Sequence, residues 1–182
     1  IVGSGLVSML ALFAHPVDGF RSVGVGAGHS VGEITAAASA GVLSAEQAMV
    51  FVRERGAGMA QASAVTPTGM AAVVGGEAKD VVSHLEALGL TPANMNGSGQ
   101  IVAAGTLEQI ERLKAEPPSK ARVIPLQVAG AFHTEHMAPA VERLARAAEG
   151  VRPSDPHVLL ISNAEGAAVP AGEEVLQRLV TQ

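Results

Sequence analysis

An α/β fold with an inserted βαββαβ subdomain is predicted by three features of this 182-residue sequence. Val/Gly stretches with strand character alternate with Ala-rich helical stretches in its outer parts. Between them, residues 67–126 carry a rhythm of their own, four short strands interleaved with two helices. Small residues dominate throughout: there are 21 glycines, and hydrophobic residues make up 48% while aromatics make up only 2%. Layers built from such residues pack closely on thin backbone around one core.

Residues 1–14 read as a helix that stops before His15-Pro16, because proline disfavours helix in the residue preceding it. Arg21–Ala27 alternates Val with Gly and predicts a buried strand with Val23, Val25 and Ala27 on one face. Gly32–Gly41 predicts an Ala-rich helix closed by its last glycine. Ser44 and Gln47 have capping-box spacing, so a longer helix is expected from Ser44 to about Ala62. Thr66-Pro67-Thr68-Gly69 breaks the chain. Beyond the break come a strand at Met70–Val74, a helix at Ala78–Leu88 ended by Gly89, and a strand at Thr91–Asn96. Asn96-Gly97-Ser98-Gly99 signals a hairpin turn. A strand at Gln100–Ala104, a helix at Thr106–Ala115, a Pro117-Pro118 loop and a strand at Ala121–Val128 follow. This βαββαβ order is the ferredoxin-like one. The outer body, residues 1–66 and 127–182, resumes with a helix from Glu135 to Glu149, a strand at Val158–Ile161 and a final helix.

Composition removes several function classes. Without cysteine there is no disulfide framework, no thiolate zinc site and no Cys nucleophile. A net charge of −5 at pH 7, with no aromatics interleaved among the basic residues, argues against a nucleic-acid surface. The apolar stretch Ile1–Ala14 is broken by Gly3, Ser4, Gly5 and Ser8, and falls short of the ~20 residues of a membrane span. No basic leader precedes it. A cytoplasmic protein without membrane contact is expected.

The strongest local signal is Gly28-His29-Ser30-Val31-Gly32, a G-x-S-x-G between a predicted strand and a predicted helix. That setting is the one a nucleophile elbow requires, so the body is expected to be an incomplete α/β-hydrolase-like fold. Glycines on both sides allow a sharp turn, Ser30 projects from it, and the Val31 N–H offers a first oxyanion donor. A capping serine on a glycine-rich turn is the other reading of the same spacing. A serine nucleophile needs a base. Of six histidines, His133 is the best placed, where a strand ends after Gly130-Ala131-Phe132 and a helix begins. His15, His84 and His157 read as loop or surface residues, and the His29 side chain diverges from Ser30 at a sharp turn. His133-Thr134-Glu135-His136 has H-x-x-H spacing but no third ligand, so no metal is expected. No aspartate falls at a strand end between Ser30 and His133, and Glu135 is too close in sequence to orient the imidazole. A Ser–His dyad is therefore expected, with the ring oriented by an amide side chain or a backbone carbonyl.

Arg55 falls in the middle of the apolar stripe Ala48, Phe51, Val52, Met59 and Ala62. A guanidinium there needs an anion, either a ligand carboxylate held bidentately or a core glutamate such as Glu33. Gly56 and Gly58 thin the helix beside it.

Four motifs follow in order: Gly28-His29-Ser30-Val31-Gly32-Glu33, the Arg55-Gly56 helix, Asn94-Met95-Asn96-Gly97-Ser98-Gly99-Gln100, and Gly130-Ala131-Phe132-His133-Thr134. Together they resemble the malonyl-CoA:acyl carrier protein transacylase family, which includes acyltransferase domains of polyketide synthases, over essentially the whole chain. The resemblance implies that Ser30 carries a malonyl ester, that His133 is its general base and acid, and that Arg55 binds the malonyl carboxylate. Val31 would supply an oxyanion N–H, and His29, Asn94 and Asn96 match positions near the site. Phe132 before His133 resembles the malonyl-selecting form rather than the Tyr-Ala-Ser-His methylmalonyl form. No bound cofactor is implied; malonyl-CoA is the donor, CoA the product and acyl carrier protein the acceptor, with a monomer when complete. A serine hydrolase or thioesterase using the same elbow, or an inactive fragment, is the alternative.

Family members begin with a strand and a Gly-Gln-Gly-Ser loop that this sequence lacks, and continue into further elements that include a glutamine-bearing segment orienting the histidine. Ile1 is not a Met, and Gly172–Gln182 reads as a helix without a closing cap. Both ends are expected to be cut.

Overall fold

In the computed structural model, which describes residues 1–97 and 99–182, the chain is an α/β protein of two units. The first comprises residues 1–56 and 141–182, the second residues 57–140. The sequence reading placed the boundaries ten and fourteen residues away, at 66/67 and 126/127. At the second boundary the difference arises because the 127–140 segment packs with the inner strands, Ala131 and Phe132 lying against Met70, Val102 and Ala104.

In the first unit, α1 (Val2–Leu12) and α3 (Gly32–Ser39) lie where helices were expected. Gly41 closes α3 at φ +84°, with the Val42 N–H donating to the Ala37 carbonyl at 2.9 Å. A β-carbon at Gly41 would come within 2.5 Å of the His157 ring. That ring stacks on Phe20 with centroids 4.5 Å apart, while His157 stays an exposed loop residue, as expected. The Ser44–Gln47 capping box opens α4 (Ala45–Val65): the Ser44 N–H donates to Gln47 Oε1 at 2.8 Å, and the Gln47 N–H to Ser44 Oγ at 3.1 Å.

The predicted strand Arg21–Ala27 is mostly not one. Residues Pro16–Ser22 form a helix, α2, because Pro16 suits a first helical turn and His15 Nδ1 accepts the Val17 N–H at 3.3 Å. Only Val25–Ala27 remains as β1, and Val25 is 54% exposed where a buried strand was expected. α7 (Ala138–Ala148) follows a 3₁₀ turn at Glu135–Met137, and Glu54 on α4 pairs with Arg143 at 2.6 Å. β6 (Leu159–Ile161) pairs with β1 in parallel, Val25 opposite Leu159 and Ala27 opposite Ile161. α8 (Gly172–Thr181) ends the chain. Ile34, Ala37, Phe51, Leu160, Leu176 and Leu179 form the core of this unit.

The second unit runs β2 (Thr68–Gly75), α5 (Ala78–Ala87), β3 (Thr91–Met95), β4 (Gln100–Thr106), α6 (Leu107–Ala115) and β5 (Ala121–Pro125). Its sheet has the order β3-β4-β2-β5, antiparallel throughout. The Asn96–Gly99 hairpin contains Ser98, which lies outside the described residues; around it the Asn96 N–H donates to the Gln100 carbonyl at 3.0 Å. A second capping box, Thr106 with Gln109, opens α6. Ala71, Val73, Leu85, Ile101 and Leu113 fill the layer between sheet and helices. Among the described residues no helix is long and apolar enough to cross a membrane.

The sheet's other face is pinned to the 127–140 segment by one buried bond. Thr68 Oγ1 accepts the Ala131 N–H at 3.0 Å, and both residues are buried. Thr68→Val keeps the shape but strands that N–H, at a cost of about 1–3 kcal/mol. Chemical denaturation is expected to show the loss as a lowered midpoint, and an unchanged midpoint would mean the bond contributes nothing.

Candidate active site

Parallel pairing sets the geometry of the first unit's polar cluster. β1 and β6 end level with one another, so the segments leaving them emerge at the same end. In open α/β sheets that end is where ligands bind. Ser30 lies three residues beyond β1, and Asn163 two residues beyond β6. The Ser30 N–H donates to Asn163 Oδ1 at 2.6 Å.

Ser30 adopts φ +51°, one of three described non-glycine residues with positive φ; the others are Lys120 and His133. L-residues held there store backbone strain, which concentrates at functional positions. The turn exists because Gly28 has no side chain. A β-carbon on Gly28 would sit 2.2 Å from the backbone carbon and oxygen of Gly32. Gly32 itself meets nothing within 4 Å at that position, so only one of the two flanking glycines is sterically required. The Gly32 N–H donates to the His29 carbonyl and the Glu33 N–H to the Ser30 carbonyl, each at 2.9 Å. The Val31 N–H has no acceptor among the described residues, and it stands at the start of α3, where the helix dipole favours negative charge. His29 is exposed on the turn.

The structure brings Arg55 to this serine. Arg55 Nη2 donates to Ser30 Oγ at 3.3 Å and to Gln182 Oε1 at 3.3 Å. Burial pushes its guanidinium down from its ordinary value, although an arginine stays charged at neutral pH. Glu33, the core partner that the sequence suggested, does not pair with Arg55. It accepts the Asn163 N–H at 2.6 Å through Oε1 and the Gln182 side-chain amide through Oε2. Among the described residues Arg55 has only neutral oxygens as partners.

Asn163 and Gln182 escaped the sequence reading. A parallel pairing of β1 with β6 would have pointed to Asn163, since it places the Ser162-Asn163 segment at the carboxyl end beside the serine. Gln182 stands at the end of α8 in no motif, and nothing local marks it.

In the second unit His133 adopts φ +59° in the bend after Ala131 and Phe132. The bend is tied by the Phe132 N–H donating to the Gly130 carbonyl at 3.2 Å and by Thr134 Oγ1 donating to the Ala131 carbonyl at 2.7 Å. Phe132 packs against buried Met70, Val102, Ala104 and Ala131. Asn94 lies on β3 opposite Val102, next to an irregularity at Pro92. Asn96 is exposed, and its side chain donates to Gln100 Oε1 at 2.8 Å, serving the hairpin. Among the described residues no group of three or more His, Asp or Glu converges as a metal site.

This geometry has relatives. The acyl transferase domain family model matches residues 8–178. A malonyl CoA-acyl carrier protein transacylase of Mycolicibacterium smegmatis is 53% identical over 86% of this chain and 54% of its own length. The crystal structure of MCAT from Mycobacterium tuberculosis superposes with a TM-score of 0.93 at 47% identity, covering 99% of this chain and 59% of that one. A malonyl-transacylase solved in complex with its type II PKS acyl-carrier protein gives a TM-score of 0.78 at 29% identity, over 95% of this chain and 60% of that one. The chain thus spans little more than half the length of the relatives it matches.

The two glycines of the serine turn separate cleanly by experiment. Gly28→Ala forces its methyl into backbone and is expected to lower the melting temperature by several degrees, a loss of more than about 2 kcal/mol. Gly32→Ala enters open space at a helix start and is expected to leave stability within about 1 kcal/mol. Equal melting temperatures for Gly28→Ala and the parent would contradict this account of the turn.

Proposed function

The chain belongs to the acyl transferase domain family, and we propose that it carries the catalytic serine of an enzyme moving a malonyl group from malonyl-CoA to acyl carrier protein. One observation carries the reading most directly: a partly buried guanidinium donates to the hydroxyl of a strained serine while its partners among the described residues are all neutral. A charged group removed from water seeks an anion. A carboxylate held by Arg55 would stand next to an acyl carbon bonded to Ser30 Oγ, and malonyl separates its two carbonyl carbons by a single methylene. The acetyl group offers no carboxylate, and a longer diacid would overreach.

In the proposed reaction His133 takes the Ser30 hydroxyl proton, Oγ bonds to the thioester carbonyl carbon, and the C–S bond breaks. CoA leaves as its thiol, with the proton returned by His133. The oxyanion formed meanwhile is met by the Val31 N–H. The phosphopantetheine thiol of the carrier protein then attacks the malonyl-serine, and His133 accepts and returns a proton in the reverse sense. Arg55 anchors the distal carboxylate in both halves. Phe132 supports malonyl over branched extender units, and His29, Asn94 and Asn96 would lie along the acyl or pantetheine path. The complex of a related malonyl-transacylase with its acyl-carrier protein supports the acceptor. No bound cofactor enters.

Two helices with the strand order β3-β4-β2-β5 support a ferredoxin-like second unit, inserted into a body whose serine turn is of the α/β-hydrolase kind.

In the full-length protein, radiolabelled malonyl-CoA should leave a denaturation-stable, acid-stable adduct that is absent from Ser30→Ala; an adduct surviving in that variant would exclude Ser30. The label should pass to added holo carrier protein, whereas release as free malonate would mean a hydrolase. Arg55→Ala should lose at least about thirtyfold in kcat/KM for malonyl-CoA, since truncating one partner of a desolvated charge pair costs ~2 kcal/mol or more. Neutral acyl-CoAs should be spared, and unchanged malonyl preference would sink the Arg55 assignment.

A further inference from the structure

We propose that Glu33 is a positioning residue that sets which end of the Gln182 amide meets Arg55 and holds Asn163 against the serine turn. The proposal rests on the reading of Ser30 as nucleophile and Arg55 as carboxylate anchor. A glutamine side chain can present either an acceptor oxygen or a donor NH2. Gln182 turns its NH2 to Glu33 Oε2 and its oxygen to Arg55 Nη2. The reversed orientation would set donor against donor at Arg55 and acceptor against acceptor at Glu33. A carboxylate only accepts, so Glu33 admits one orientation alone.

The same carboxylate takes the Asn163 backbone N–H through Oε1. Asn163 Oδ1 in turn accepts the N–H of Ser30. Glu33 sits in the first turn of α3, where its charge is favoured by the helix dipole. One half-buried carboxylate thereby spans the loop after β6 and the end of α8, and touches Ser30 only through Asn163 and Arg55 only through Gln182. The interposed amide keeps the negative charge off the guanidinium. Direct pairing of Glu33 with Arg55 would neutralise the cation and compete with a substrate carboxylate.

Glu33→Gln offers a single acceptor oxygen, so the Asn163 N–H and the Gln182 NH2 can no longer both be met. The test compares malonyl-CoA with acetyl-CoA in the full-length protein. Glu33→Gln is expected to lower the malonyl-to-acetyl ratio of kcat/KM by about tenfold, the scale of one lost charge-assisted hydrogen bond. The loss should appear largely in KM for malonyl-CoA. A merely structural role would reduce the active fraction and lower both substrates equally. Gln182→Leu reaches the same contact from the chain's other end, is expected to give a similar ratio, and stands in should Glu33→Gln fail to fold. The double variant should be no worse than either single one. A wild-type-like ratio in either variant, or additive losses in the double, would overturn the proposal. A wild type with no malonyl preference would instead remove the Arg55 reading beneath it.

Discussion

Much of the first unit's site follows from one steric constraint, the absence of a β-carbon at Gly28. Its backbone approaches that of Gly32 so closely that any other residue would collide, and within this turn Ser30 lies in the left-handed region. From there the Ser30 carbonyl accepts the Glu33 N–H at the start of α3. The Ser30 N–H turns to Asn163 instead of entering the helix. The Val31 N–H has no acceptor among the described residues. A relaxed serine at the same place in sequence would start a helix and offer none of this.

The second organising feature is the handling of charge. Glu33 and Arg55 share a small, partly buried cluster, and a direct ion pair between them would be the simplest arrangement. The structure separates them by the Gln182 amide, which hydrogen-bonds to both. Breaking a buried pair is costly because it strands a charge; here each charge is satisfied while the cation keeps its capacity for an incoming anion. That arrangement is what favours the proposed substrate-binding role of Arg55 over a purely structural one.

What could be read along the chain was what is written locally. The Ser44–Gln47 box, the glycine closing α3 and the βαββαβ order depend on neighbours a few residues apart, and the G-x-S-x-G turn does too. His15-Pro16 reads locally as a stop, yet a proline at a first helical position is as good a start, and α2 begins there. Val25 misled because alternation signals one buried face without saying whether anything covers it. Asn163 and Gln182 were out of reach for a different reason. The first is 133 residues from its partner Ser30 and the second 149 from Glu33, and only the parallel register of β1 with β6 and the docking of α8 bring them in. The boundaries of the units slipped on the same ground, since the Thr68–Ala131 bond spans 63 residues.

The two candidates for the catalytic dyad are each held in an unfavourable backbone conformation by their own unit. Ser30 has Gly28 and Asn163; His133 has a bend closed through Gly130, Ala131 and Thr134, with Ala131 fixed in turn by buried Thr68. Strain of this kind persists only where the surroundings over-determine it. Three of the supports are bonds between a side chain and the backbone, from Asn163, Thr68 and Thr134, and the Phe132–Gly130 bond is backbone to backbone. Both positive φ angles are thus fixed by contacts within their own units, Ser30 through its backbone N–H to Asn163 and His133 through the bend that precedes it.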